Sequence, residues 1–296
     1  MSHVGAYVAL MKLRVVELLL VTTLPALFMA TYAQNHAHRF PPLGVTIATL
    51  IGGTLAAGAS NAFNMVIEVE SDRLMKRTSK RPLVSGEVTE KQAVAFSLVI
   101  TILSLLIFLI FTTVLATVLT LLAILFYVVG YTIWLKRRTS QNIVWGGIAG
   151  CMPVIIGWAA ITNSLSMTAW LFFLLIFFWT PPHFWALAIK YKEDYAAAGI
   201  PMLPVVASIK AVQKQMWFHS ILMSTTSFLV LASAHLPWWS YLITALLALG
   251  FGTQLVKISG PDSERAALKL FHWSITYLSV YSLVLVLATL VAKHTV

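Results

Sequence analysis

Nine apolar stretches take up most of this 296-residue sequence. Each is close to the length of about 20 residues that a helix needs to cross the hydrocarbon core of a bilayer. Only helices and closed barrels pair all their backbone polar groups there, so the sequence predicts an all-α, polytopic integral membrane protein. The predicted membrane helices are 15–33, 42–67, 92–112, 114–135, 143–162, 168–189, 215–234, 237–256 and 270–292.

The composition supports this fold class. The chain is 59% apolar and 10% charged, whereas soluble domains carry about 25% charged residues. Nine helices with short loops leave no room for a soluble module, so we expect one transmembrane domain over residues 1–296 and no nucleic-acid partner. The division between the third and fourth helices, at Thr112-Thr113, is the weakest of the series.

The positive charges predict the topology. If the N-terminus lies inside, all of the 20 lysine and arginine residues except Arg39 and Lys293 fall on inner segments. That bias follows the positive-inside rule, and it places the N-terminus on the cytoplasmic side and the C-terminus outside. Anionic lipid headgroups are one explanation for such a basic face. No cleavage pattern precedes the first helix, so we expect that helix to be retained.

Two inner loops are long and carry most of the acidic residues. They cover about 68–91 and 190–214, and long loops in compact domains tend to be functional. We therefore expect the chemistry on the inner face. Their acidic residues are Glu68, Glu70, Asp72, Glu87, Glu90, Glu193 and Asp194.

Three polar residues at the end of the second apolar stretch are the strongest sign of chemistry. Asn64, Glu68 and Asp72 are spaced by four, so on one helix they share a face and span roughly 12 Å. Oxygen ligands beside a cluster of cations suit a divalent metal that carries a diphosphate. The alternative is a wet, solvated helix end whose carboxylates pair with nearby cations. Those cations are Lys76, Arg77, Lys80 and Arg81.

His183 is the second notable feature. It follows Pro181-Pro182 in the sixth helix, and two prolines predict a kinked or unwound helix. A broken helix with aromatic neighbours would make a pocket for a large flat ligand, and imidazole is a common ligand of haem iron. The alternative is a hydrogen-bonded core histidine.

Eight short motifs stand out along the chain: Asn64-x3-Glu68-x3-Asp72, Met75-Lys76-Arg77-Thr78, Arg81-Pro82-Leu83, Ser60–Met65, Pro181–Trp185, Lys190–Tyr195, Gly199–Val206 and Leu270-Phe271-His272. They resemble the UbiA superfamily of intramembrane prenyltransferases and, within it, the protohaem IX farnesyltransferase (haem O synthase) family. The likeness runs from about residue 12 to residue 277. Three departures are Glu68 and Glu70 where the family usually has Asp, Leu13 between Lys12 and Arg14 where it has Pro, and Val154 after Pro153, where it usually has a second Pro.

The resemblance implies a fold, a reaction and a cellular location. It implies a helical bundle around a central cavity that opens near the cytoplasmic face, in the plasma membrane. In the implied reaction, farnesyl diphosphate donates its farnesyl group to a vinyl group of haem B, giving haem O and diphosphate in a Mg²⁺-dependent step. Whether the protein also docks with a haem A synthase or with a terminal oxidase stays open at this point.

The resemblance also implies roles for individual residues. His183 is the expected haem contact, as an axial ligand or a propionate partner. The expected Mg²⁺ ligands are Asn64, Glu68, Asp72 and Asp194; the expected diphosphate contacts are Lys12, Arg14, Lys76, Arg77, Arg81 and Lys190; and the expected walls of the prenyl chamber are Phe178, Trp179, Phe184 and Trp185.

Two other functions stay open at this point. One is a UbiA-type prenyltransferase that acts on a quinone or chlorophyll precursor. The other is a carrier of haem or anionic lipid without catalysis, although a carrier has no need of two oxygen-ligand clusters on one face.

Overall fold

The structure is a computed structural model that describes residues 3–34, 40–76 and 78–292. Within these ranges, nine helices are long and apolar enough to cross a membrane. They are α2 (Leu13–Ala33), α3 (Leu43–Ile67), α5 (Glu90–Phe111), α6 (Val114–Leu125) with the π-helix Phe126–Leu135, α7 (Asn142–Thr162), α8 (Met167–Lys190), α11 (Ile209–Ser233), α12 (Trp238–Val256) with the 3₁₀ turn Lys257–Ser259, and α13 (Ser263–Val291).

Four short helices lie before or between the membrane helices. All of them lie at the end of the bundle where α3 finishes, here called the site end. They are α1 (His3–Leu10), α4 (Val69–Leu74), α9 (Lys192–Ala197) and α10 (Leu203–Val206).

The predicted number of membrane helices is confirmed, and most of their bounds agree within two residues. The weak division at Thr112-Thr113 is real, because the Thr113 hydroxyl caps α6 by accepting a hydrogen bond from the Ala116 N–H at 3.1 Å. Two helices begin about two turns earlier than predicted. In α11 the Ser208 hydroxyl caps the helix. The additional turns, 209–214 and 263–269, carry charged side chains that interrupt the apolar run in the sequence.

The membrane helices form a closed ring, and contacts between opposite helices bridge its middle. Neighbours along the chain pack against each other, and α13 returns to pack on α2. Contacts of α2 with α7 and of α8 with α13 cross the ring. These four helices therefore form the central core, with α3, α5 and α6 on one side and α11 and α12 on the other.

Large aromatic side chains fill the central core. Trp158 on α7 and Trp185 on α8 are buried, as are Tyr277 and Tyr281 on α13. Buried tyrosines need hydrogen-bond partners, and α11 supplies both through Ser227. Its hydroxyl lies 2.7 Å from the Tyr277 hydroxyl, and its carbonyl accepts a bond of 2.8 Å from Tyr281.

The predicted unwinding at Pro181-Pro182 is wrong, whereas a kink at this point stays a prediction. Helix α8 remains helical from Met167 to Lys190, with both prolines buried inside it. Close packing on both sides holds the helix in spite of the two missing N–H donors. The irregular helix of the bundle is instead the one that ends in the π-helix Phe126–Leu135.

We expect Gly52→Val to destabilise the bundle where α3 and α5 make their closest approach. A Cβ at Gly52 would lie 2.8 Å from the ring of the fully buried Phe108, and the Ser104 hydroxyl already bonds the Gly52 carbonyl at 2.7 Å. Overpacking of this kind costs about 1–3 kcal/mol. Thermal unfolding in detergent measures the loss, and Gly53→Val is the matched control because Gly53 faces open space. Equal unfolding temperatures for the two variants would contradict this packing.

Candidate active site at the end of α3

Helix α3 does not continue through the acidic residues as one regular helix, which corrects the sequence prediction. It ends at Ile67, and Glu68 leaves helical geometry with φ −102° and ψ 7° before α4 begins. The hydrogen-bond ladder nevertheless carries on. The Glu68 N–H bonds the Asn64 carbonyl at 3.0 Å, and the Asp72 N–H bonds the Glu68 carbonyl at 2.8 Å.

The predicted shared face is preserved across this junction. Asn64, Glu68 and Asp72 are only 3%, 4% and 1% exposed, so the expectation of a wet helix end is wrong for all three. Glu70 is exposed and pairs with Arg73 at 2.9 Å. The solvated alternative therefore describes Glu70 and leaves the other three as a buried polar face.

Each buried carboxylate has a cationic partner. Lys136 pairs with Glu68, and Arg81 pairs with Asp72. The Thr78 hydroxyl also bonds the Asp72 carbonyl at 2.8 Å, which ties the 75–81 turn to α4. Asp72 Oδ1 is buried and has no hydrogen-bond partner among the described residues.

Lys12 completes the face from the start of α2. Its ammonium donates to Asn64 Oδ1 at 2.8 Å, and the Asn64 amide donates to the Thr132 hydroxyl at 3.2 Å. Lys12 has a left-handed backbone, with φ 51° and ψ 53°. Such strain in a residue other than glycine persists only where its surroundings hold it.

Helix α3 holds this corner through two contacts with Met11. The Asn61 amide donates to the Met11 carbonyl at 2.9 Å. A Cβ at Gly58 would lie 2.6 Å from Met11 Cε, so the glycine allows the close approach.

The π-helix brings residues that the sequence analysis did not assign to the site. Thr132 reaches Asn64 from the π-helix, and from the turn directly after it Lys136 pairs with Glu68 and Arg137 donates to the Ser71 hydroxyl at 3.0 Å. Wide turns of this type often occur at functional sites. The only signal in the sequence was the run Lys136–Arg138 after an apolar stretch, which headgroup binding explains equally well.

Burial and neighbouring charges shift two pKa values at the site. Burial alone would raise the pKa of Glu68, but Lys136, Lys12 and Arg81 outweigh it and hold that pKa below its ordinary value. Burial, with help from Arg81, lowers the pKa of Lys12 well below its ordinary value, against the opposing charge of Glu68. Three basic side chains thus surround two carboxylates, an arrangement that favours an incoming anion.

Among the described residues, no hydrogen bond or ion pair joins Arg14, Lys76, Lys190 or Asp194 to this face. Arg14, Lys76 and Lys190 are exposed, and the Lys190 ammonium lies 5.5 Å from the centre of the Tyr191 ring. Asp194 is half-buried on α9. Arg77 lies outside the described residues. Within the described ranges no three His, Cys, Asp or Glu side chains form a group that could hold a metal ion, and convergence of Asp194 with the face stays a prediction.

His183 lies in a buried aromatic stack. Its ring centre is 4.2 Å from that of Trp179 and 4.6 Å from that of Phe271, with both pairs stacked. Nδ1 lies 2.6 Å from the Ser274 hydroxyl. This is the geometry of a packed, hydrogen-bonded histidine, and it leaves Nε2 as the nitrogen available to a ligand.

The four predicted chamber residues divide between two histidines. Trp179 and Phe184 contact His183. Phe178 and Trp185 contact His219 on α11.

Known proteins show which family these features belong to. The model of the UbiA prenyltransferase family matches residues 19–275. The chain is 47% identical to the protoheme IX farnesyltransferase of Streptomyces avermitilis over 286 residues, which cover 94% of this chain and 92% of the relative. It is 42% identical to that of Cutibacterium acnes over 294 residues, which cover 97% and 86%.

Solved structures share the fold. A digeranylgeranylglyceryl phosphate synthase superposes with a TM-score of 0.79 at 16% identity, covering 98% of this chain and 99% of the other. A UbiA homolog from Archaeoglobus fulgidus bound to GPP and Mg²⁺ superposes with a TM-score of 0.69 at 17% identity, covering 95% and 99%.

We expect Glu68 to make stability depend on pH in the acid range. Because its folded-state pKa is below the ordinary value of 4.5, its ion pairs stabilise the folded protein fully above that pH and progressively less below it. The difference in unfolding free energy between wild type and Glu68→Gln should therefore shrink as the pH falls below 4.5. Denaturant unfolding in detergent over a pH series measures it. The exposed Glu70→Gln is the control, and a constant difference would rule out the assigned shift.

Proposed function

We propose that this chain, which belongs to the UbiA prenyltransferase family, transfers the farnesyl group of farnesyl diphosphate to a vinyl group of haem B. The products are haem O and diphosphate. The observation that carries the proposal is the buried face on which Lys12, Arg81 and Lys136 surround Glu68 and Asp72. The names of relatives 42–47% identical over nearly their whole length support haem as the acceptor.

Mg²⁺ fits the donor set of this face. Amide and carboxylate oxygens are the ligands that Mg²⁺ takes from proteins, and Asp72 Oδ1 is a buried oxygen with no partner among the described residues. Asn64, Glu68 and Asp72 would hold the ion, with Asp194 as the proposed fourth ligand. When bound, Mg²⁺ neutralises the diphosphate and so assists its departure.

Lys136 and Arg81 would change partners when substrate binds. In the structure they pair with Glu68 and Asp72; with these carboxylates serving as metal ligands, the two cations would be free to contact phosphate oxygens. Lys12 is the third phosphate contact on the face. Further contacts are proposed for the rim residues Arg14, Lys76, Arg77 and Lys190.

The chemistry of transfer then follows from the leaving group. The bond from the farnesyl C1 to oxygen breaks, the allylic cation adds to the terminal vinyl carbon, and the porphyrin-side cation takes up water and releases a proton. An allylic cation survives only in a dry site with polarisable walls. The proposed walls are Phe178, Trp179, Phe184 and Trp185.

His183 is the proposed haem contact. A metal-binding histidine commonly donates a hydrogen bond from its second ring nitrogen to a neighbour, which fixes the orientation of the ring. The Ser274 hydroxyl next to Nδ1 fits that arrangement. Contact with haem would then use Nε2.

The protein is a multi-pass membrane protein, and we propose that it lies in the plasma membrane with its site end towards the cytoplasm. The positive charges of the inner segments support this orientation. The two exceptions, Arg39 and Lys293, lie outside the described residues.

One assay tests the proposed reaction. Purified protein is incubated with haem B, farnesyl diphosphate and Mg²⁺, and the porphyrins are separated by chromatography and weighed by mass spectrometry. The expected product carries one hydroxyethylfarnesyl group. Turnover of a quinone or chlorophyll precursor in place of haem B would overturn the proposed acceptor, and absence of any turnover would favour the carrier.

We expect Asp72→Asn to reduce turnover by roughly 100-fold or more, because loss of a metal ligand removes the charge that assists departure of diphosphate. The amide has the same shape as the carboxylate. Asparagine at this position therefore disturbs the contact with Arg81 less than alanine would, because alanine would leave the guanidinium buried without any polar partner at this position. Glu70→Gln is the control, with wild-type turnover expected. Near-normal turnover by a folded Asp72→Asn protein would contradict the metal role.

We expect His183→Phe to weaken haem B binding by roughly tenfold while leaving farnesyl diphosphate binding unchanged. Phenylalanine keeps an aromatic ring between Trp179 and Phe271, slightly larger than imidazole, and removes both nitrogens. Haem is titrated by absorbance and farnesyl diphosphate by calorimetry. Unchanged haem affinity, or an equal loss of both affinities, would show that the histidine is structural.

A further inference from the structure

The turn between the π-helix and α7 connects the site to the rest of the bundle. It covers 136–141 and carries two cations that both reach the α3–α4 junction. Lys136 pairs with Glu68, and Arg137 donates to the Ser71 hydroxyl at 3.0 Å. The position of this turn therefore decides where the Lys136 ammonium lies.

Asn142 fixes the turn from the first residue of α7. Its side chain is fully buried, and its amide nitrogen donates to the Lys136 carbonyl at 2.9 Å. On the other side, the Lys136 N–H donates to the Tyr131 carbonyl at 2.9 Å. Lys136 is thus held at both its backbone N–H and its carbonyl.

The hydrogen bond from the Lys136 N–H shows that a π-helical turn is held in place here. The Lys136 N–H bonds a residue five positions earlier, which is the π-helical pattern. If this turn rewound to the α-helical pattern, the chain would shift by one residue and the Lys136 side chain would rotate by about 100° around the helix axis. That rotation would take the ammonium away from Glu68.

An energetic argument indicates that position 142 supplies a donor. Asn142 Oδ1 is buried with no hydrogen-bond partner among the described residues, which costs stability that an apolar side chain of similar size would not. The contact that offsets this cost is the bond from the amide nitrogen to the Lys136 carbonyl.

We infer that Asn142 is a positioning residue of the prenyl diphosphate site, because its amide holds the last π-turn and so keeps Lys136 on the carboxylate face. The inference rests on the proposed function in one respect. Lys136 is taken to pass from Glu68 to the diphosphate when substrate and Mg²⁺ bind.

A double-mutant cycle tests the coupling. Asn142→Leu is close in shape and lacks the donor. It is expected to raise the Kd for farnesyl diphosphate with Mg²⁺ about tenfold, a typical loss for a supporting residue, and to leave the Kd for haem B unchanged. In a Lys136→Met background the same change should alter the Kd less than about twofold, because Asn142 acts through Lys136 and that side chain is already gone. If the two residues acted independently, the full loss of about tenfold would appear in both backgrounds. Binding is measured by calorimetry.

A matched control separates positioning from packing. Thr113→Val removes the 2.9 Å hydrogen bond from the Thr113 hydroxyl to the Ala159 carbonyl, which joins the same helix pair at its opposite end, together with the N-cap of α6. It should lower the unfolding temperature without changing either Kd. Should Asn142→Leu fail to fold, Asn142→Ala also removes the donor without adding bulk, and the same rise is expected.

The outcomes decide two questions separately. An unchanged Kd in the folded Asn142 variant, or equal losses in the wild-type and Lys136→Met backgrounds, overturns the inference. If the wild-type protein binds farnesyl diphosphate but does not modify haem B, the proposed acceptor is overturned. The role of Asn142 is then still decided by the double-mutant cycle, which measures binding alone.

Discussion

Two carboxylates buried at the end of a mostly apolar bundle need positive charge beside them, and much of the site is built to supply it. Unpaired, Glu68 and Asp72 would be strongly unfavourable there. Three separate segments deliver the basic side chains. Lys12 comes from the corner before α2, Arg81 from the turn after α4, and Lys136 from the end of the π-helix. Each segment is therefore held in place by the charge it contributes.

The irregular backbone of the site follows from this requirement. Lys12 has a left-handed backbone, Glu68 interrupts the helix, and the π-helix widens over Phe126–Leu135. The departures at Lys12 and in the π-helix bring their cations to the carboxylate face, while the interruption at Glu68 leaves the four-residue face intact. Backbone of this kind is tolerated at membrane depth where protein covers it. Helix α8, which packs in the central core, stays helical through its two prolines.

The sequence predicts what depends on average polarity and on local spacing. Apolar runs located nine helices, and the four-residue spacing identified Asn64, Glu68 and Asp72 as one face. It could not predict Lys136, because a basic run beside a membrane helix suits lipid headgroups equally well. Tertiary packing also overrode a local rule at Pro181-Pro182, and partners from distant segments, such as Asn142 for Lys136, have no signature in a single sequence.

The ion pairs bear on how substrate and metal would enter under the proposed function. Metal alone would take Glu68 and Asp72 and leave Lys136 and Arg81 without counter-charges. Diphosphate alone would take the two cations and leave both carboxylates buried and unpaired. Each single ligand thus pays a desolvation cost that arrival of both removes, because every broken pair then finds a new partner. We therefore expect binding of Mg²⁺ and of diphosphate to be positively coupled, so that by linkage each ligand would raise the affinity for the other by the same factor.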